Sequence, residues 1–217
     1  VRKGELTRQA ILEQAATLAS QVGLEGLTIG SLAEALELSK SGLFAHFRSK
    51  EALQIQLLDF AVERFVDAVV RPALGAARGE PRLRALFEGW VDWARTGTAR
   101  SGCVFVAAST ELDDQPGPVR DRLVRLQKDW LEFITQAYRV AVSEGHLAGG
   151  DPEQFAHDLY GIMLGWHHAA RLLRDPRAES RARAAFEALL SAARAPRAGR
   201  RGSGRPGRRP RKEGTRG

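Results

Sequence analysis

Residues 27–53 read LTIGSLAEALELSKSGLFAHFRSKEAL, and this stretch decides the fold. Thr28 stands where an N-cap belongs, before a short helix of about 29–36 that turns Ile29, Leu32 and Leu36 inward. After Glu37-Leu38, Ser39 caps a second short helix of about 40–46, and Ser49 caps a third N-terminus. Two short capped helices joined by a tight turn, with Leu32, Leu36, Leu38, Leu43 and Phe47 beneath them, have helix-turn-helix proportions. The second helix would then enter a major groove. Its outer face carries Lys40, Ser41, Ala45 and His46, short or cationic side chains that permit close approach to base edges. Lys50 adds a cation at the start of the next helix, whose free N–H groups favour a phosphate oxygen.

The pattern resembles the TetR family of bacterial one-component regulators. Thr28, Ala33, Ser39, Lys40, Leu43, the pair Phe44 and Phe47, then Ser49-Lys50-Glu51 and Leu53 fall where that family's signature has a Thr cap, a buried small residue, a Ser-Lys start, an aromatic and an F-x-S-K-E-x-L close. The resemblance implies a DNA-reading head followed by a divergent helical domain for ligand binding and dimerisation. It also implies phosphate contacts from positions 44 and 50, and a DNA-binding set of Thr28, Ser39, Lys40, Ser41, Gly42, Phe44, Ala45, His46 and Lys50. Three positions depart from the pattern. Phe44 replaces the usual Tyr and lacks its hydroxyl; Gly42 costs the recognition helix about 1 kcal/mol relative to Ala. Glu37 stands where the family has Gly, which costs roughly 1–2 kcal/mol if that residue is left-handed.

Outward from this stretch, apolar residues recur at helical spacing and nothing alternates like a strand, so the expected fold is all-α, with about nine helices. A first helix of about 7–21 ends at the GLEG of 23–26, and a long one from Lys50 to about Val70 stops before Pro72. Helices at about 81–97, 104–113, 118–145, 152–174 and 177–194 follow, separated by Gly/Pro punctuation. This divides the chain into a helix-turn-helix domain (1–49), a helical ligand-binding and dimerisation domain (50–194) and a disordered basic tail (195–217).

The chain has 217 residues, 43% hydrophobic and 27% charged, which excludes a disordered or collagen-like chain. Cys103 is its only cysteine, so no intrachain disulfide forms. The formal charge of +7 sits in the tail: residues 195–217 hold nine Arg or Lys and one acid, leaving 24 basic against 25 acidic residues before it. Within that tail, Gly204-Arg205-Pro206 is similar to the core of a minor-groove hook, and non-specific phosphate attraction is the simpler reading. The N-terminus, VRKGELTRQAILEQ, reads as an amphipathic helix rather than an export signal, and apolar runs are too short for a spanning helix; the expected compartment is the cytoplasm, without membrane contact.

Aromatics concentrate between residues 83 and 138. Phe87, Trp90, Trp93, Cys103, Phe105, Trp130 and Phe133 are the candidate lining of a pocket for a small apolar or aromatic effector, or else the core of a helical bundle. Gly161, Gly165 and Ala169 form a stripe of small residues flanked by Phe155, Leu159, Ile162 and Trp166, the candidate homodimer interface; packing inside one subunit is the alternative. No metal or cofactor is expected, and no catalytic constellation or nucleotide loop is present; His167 and His168 are adjacent and point about 100° apart on a helix. The expectation is a sequence-specific regulator, a ligand-released repressor that binds a palindromic operator DNA as a homodimer. The rival readings are a non-specific DNA-binding protein driven by the tail, and a helical carrier or enzyme with an accidental motif.

Overall fold

The computed structural model describes residues 3–96 and 103–194, so the tail and its proposed hook lie outside the described residues. Among these, all regular structure is helical: α1 (Lys3–Gly26), α2 (Ile29–Ala35), α3 (Lys40–Phe47), α4 (Lys50–Phe65), α5 (Arg71–Gly75), α6 (Glu80–Thr96), α7 (Val104–Leu112), α8 (Pro118–Ser143), α9 (Pro152–Arg171) and α10 (Ala178–Arg194).

The three caps read from sequence are made by side chains. Thr28 Oγ1 accepts from the Ser31 amide at 3.0 Å, while Ser31 Oγ accepts from the Thr28 amide at 3.0 Å. This is a capping box with Ser in the place usually held by Glu or Gln. Ser39 Oγ accepts from the Gly42 amide and Ser49 Oγ from the Ala52 amide, each at 3.1 Å. Between α2 and α3, Glu37 is left-handed (φ 53°). The reversal sends the Leu38 amide back to the Ala33 carbonyl at 2.9 Å and leaves the Leu38 side chain 45% exposed, not inward as expected.

Gly23 breaks α1 at φ 81°. A Cβ there would lie 2.7 Å from Glu111 Oε1 on α7, and Glu111 Oε2 accepts from the Glu25 amide at 2.7 Å. The left-handed backbone favours glycine here, and a side chain would also push the Glu111 carboxylate off the corner it grips. Buried Gln54 of α4 donates to the Leu24 carbonyl at 2.7 Å, tying the same corner to α4.

The helix begun at Lys50 does not stop at Pro72. A π-helical turn, Val66–Val70, follows α4, and α5 continues through Pro72 to Gly75. The Arg71 amide reaches back five residues to the Val66 carbonyl. Proline in a regular helix lacks a donor and its ring collides with the carbonyl four residues earlier; a widened turn immediately before it relieves that collision. Sequence periodicity sees the Pro and not the relief.

Two apolar cores form. One joins α1–α4 to α7 and the first half of α8 through residues such as Leu12, Leu43, Phe47, Leu57, Ala108, Leu112 and Leu123. The other fills the body around Phe65, Leu86, Trp90, Ile134, Met163, Phe186 and Leu190. Helix α4 contributes to both.

Candidate DNA-reading face and effector cavity

Helix α3 is anchored by Leu43 and Phe47, which are almost wholly buried, so its other side must face out. Lys40, Ser41, Gly42 and Ala45 are exposed, and Phe44 is 51% exposed. The expected outward His46 is instead half-buried; its carbonyl accepts from Arg8 Nη2 at 3.1 Å. Thr28 and Ser39 are exposed but occupied as caps. Lys50 Nζ lies 3.2 Å from Glu25 Oε2, in a half-exposed pair of a kind worth about 0–1 kcal/mol, which a phosphate could displace. Sequence reasoning passed over Arg48, which is exposed at the end of α3 with its guanidinium unpaired by any carboxylate among the described residues. Its signal was only its place in FRSK.

In the body, a cavity of about 370 Å³ opens between α4, its π turn, α6, α7, α8 and α9. Of the residues proposed from sequence, Trp90, Cys103, Phe105, Trp130 and Phe133 line it. Phe87 and Trp93 do not. Phe87 lies one turn earlier on α6 and stacks on Phe186 of α10 (centroids 4.3 Å apart); Trp93, one turn later, sits edge-on to Phe65 at 5.6 Å. Sequence reasoning missed the wall given by Val62, Phe65, Val66 and Val70, because apolar residues on a linking helix look the same whether they face a void or a neighbour.

It also missed four polar residues of the lining. Arg122 Nε donates to Asp59 of α4 at 2.6 Å. The Tyr160 hydroxyl donates to Gln127 Oε1 at 2.7 Å, and Gln127 Nε2 donates to Ser109 Oγ at 3.0 Å. Asp129 is exposed, at the mouth. Burial pushes the Tyr160 phenol up to about 12, so it remains a donor at neutral pH. Burial also pushes the Cys103 thiol up, which keeps it from becoming a thiolate nucleophile, and lowers the His167 pKa. His167 Nε2 is 3.4 Å from the Cys103 amide nitrogen. Among the described residues no three His, Cys, Asp or Glu side chains gather as a metal site, and no helix is long and apolar enough to cross a membrane.

On α9, Gly161 and Gly165 are exposed, and a Cβ at either would meet no atom within 4 Å. The glycines of the stripe are therefore not packed inside the subunit. Ala169, the third member of the stripe, and the flanking Ile162 are half-buried and pack against the body core. Phe155, Leu159 and Trp166, which sequence reading assigned to the same surface, are buried at 4%, 0% and 5% exposure in the body core. They occupy the opposite side of α9 and cannot meet a partner. Helix α10 presents exposed Ala184, Ala185, Ala188 and Ala192.

A capped two-turn helix held outward by a buried underside, carried on a helical body, defines a DNA-binding regulator of the helix-turn-helix class. The chain belongs to the TetR family: residues 11–57 match the model for bacterial regulatory proteins of the tetR family, and residues 79–186 match that of the tetracyclin repressor-like C-terminal domain. The HTH-type transcriptional repressor NemR of Escherichia coli strain K12 is 26% identical over 175 residues, 78% of this chain and 86% of NemR. A TetR transcriptional regulator from Chloroflexus aurantiacus is 26% identical, with a TM-score of 0.77 over 88% of this chain and 96% of that one. AibR, solved with isovaleryl coenzyme A and operator DNA, shares the fold at 24% identity (TM-score 0.68, 87% and 98% covered).

Proposed function

We propose that this chain is a cytoplasmic, homodimeric repressor that reads a palindromic operator through α3 and is released by a small apolar or aromatic effector, without catalysing a reaction. The division into a head (1–49), a sensing and dimerising body (50–194) and a basic tail belongs to this reading. The observation that carries it is the two-sidedness of α3: Leu43 and Phe47 are buried while Lys40, Ser41 and Ala45 are exposed. Lys40 and Ser41 are the base- or phosphate-reading groups, with Ala45 and Phe44 able to meet thymine methyls. Lys50 and the cap at Thr28 serve the phosphate backbone. One such helix makes few contacts; two, spaced about 34–36 Å apart by a dimer, read successive major grooves. The bare face of α9 and the alanine face of α10 support that assembly.

The cavity supports the sensing role, because its wall is part of the helix that carries the head. An effector pressing on Phe65, Val66 and Val70, or disturbing the Asp59–Arg122 pair, acts directly on α4. Couplings of this kind are commonly about 1–3 kcal/mol, or about 5–150-fold in operator affinity.

The test is fluorescence anisotropy on duplexes selected from a random pool by the full-length protein. A palindromic consensus is expected, with Lys40→Ala weakening binding about tenfold or more at unchanged helicity. Equal affinity for every duplex, or wild-type binding by the Lys40 variant, overturns the reading.

A further inference from the structure

We propose that the effector is an amphiphilic organic cation, its charge held at Asp129 and its apolar body enclosed by the aromatic cavity; this rests on that cavity being the effector site. Two independent features of the lining point the same way. The first is aromatic: Phe65, Trp90, Phe105, Trp130, Phe133 and Tyr160 all contribute rings. The face of an aromatic ring is electron-rich and attracts an ammonium or similar cation, while offering an anion nothing.

The second feature is the charge balance. The cavity's single cation, Arg122, is already neutralised by Asp59 at 2.6 Å. Asp129 has neither an ion pair nor a hydrogen-bond partner among the described residues, so it is the uncompensated charge of the site. Outside the cavity, a groove between α8 and α9 shares Asp129 and Tyr160 with it and adds Glu132 and Glu153. Those two carboxylates share one guanidinium, Arg139, at 3.5 and 3.2 Å. Lys128 also lines the groove but not the cavity. With Asp129, Glu132 and Glu153 set against Lys128 and Arg139, the approach carries a net formal charge of −1. A carboxylate or phosphate ligand therefore meets an acidic groove outside and, inside, a guanidinium that already has a partner, with the buried indole N–H of Trp130 left as a neutral donor.

The experiment titrates the full-length protein with three probes of one skeleton, 4-phenylbutyltrimethylammonium, 4-phenylbutanol and 5-phenylpentanoate, following tryptophan fluorescence, of whose four sources Trp90 and Trp130 line the cavity. The cation should bind at least tenfold more tightly than the alcohol. In Asp129→Asn, whose melting temperature serves as the folding control, that preference should fall to the part the aromatic rings supply while the affinity for the alcohol holds. A carboxylate that binds as well as the cation, an alcohol that equals it, or an Asp129→Asn variant that keeps the preference undiminished overturns the charge assignment and leaves the cavity as an effector site. No saturable change with any of the three, confirmed by isothermal calorimetry, removes the cavity from the sensing role and this proposal with it.

Discussion

Glu37 turns the corner between α2 and α3 at φ 53°, where its Cβ crowds the following carbonyl. Its side chain is exposed and makes no contact that would offset the strain. Glu37→Gly should therefore stabilise the protein by about 1–2 kcal/mol, a rise of about 2–8 °C in melting temperature for a domain of this size, readable by circular dichroism. A fall would mean that the side chain holds the turn in a way its exposure does not reveal. Gly42 is a different case. An added Cβ would come within 3.2 Å of Ser39 Oγ, so any gain in helix propensity is set against the cap that starts the recognition helix. At this scale the head was legible from sequence, because a cap is a local bargain between one hydroxyl and an amide two or three residues on. The lining of the cavity was not: Asp129 and Tyr160 become meaningful only when α8 and α9 are laid side by side, and no local pattern encodes that.

Among elements, α6 and α10 are clasped by ions. Glu80 accepts from Arg84 Nε at 2.8 Å and from Arg194 Nε at 2.7 Å, and Arg84 reaches Glu187 of α10 through Nη2 at 2.8 Å. The hydrogen bond from Arg194, aided by Arg84, holds the Glu80 carboxyl below its ordinary value of 4.5 against the opposing effect of burial. A carboxylate with a depressed folded-state pKa contributes stability that is complete above the unfolded value and is lost as pH falls through the folded one. Glu80→Gln should thus lower the melting temperature at pH 7, and the gap from wild type should close as the pH drops below 4.5, disappearing once the carboxyl is protonated in both states. An undiminished gap at about pH 2 would show that the loss lies in packing and not in charge. The elements themselves were mostly visible in the sequence, since helical periodicity and Gly/Pro breaks are strong over long spans. The failure at Pro72 is instructive: the rule that a proline ends a helix assumes a regular α-helix before it, and the π turn at 66–70 removes that premise.

For the molecule as a whole, the head is not a separate bead. Its core runs on into Ala108, Leu112 and Leu123 of the body, and Glu111 grips the corner at Gly23 and Glu25. A division of the sequence after residue 49 therefore cuts through one apolar cluster, which local helix caps and motif spacing cannot register. Assembly belongs to this scale too. Gly165→Arg introduces a side chain where nothing lies within 4 Å, and it replaces a poor helix former. The chain should keep its helical circular dichroism, yet sediment as a monomer and lose at least tenfold in operator affinity. A dimer that survives this change would move the interface elsewhere. At positions 161 and 165 the outermost atoms of α9 are those of the main chain itself. Whatever rests there touches peptide groups directly, so even a single methyl group added at either position would hold the two surfaces farther apart.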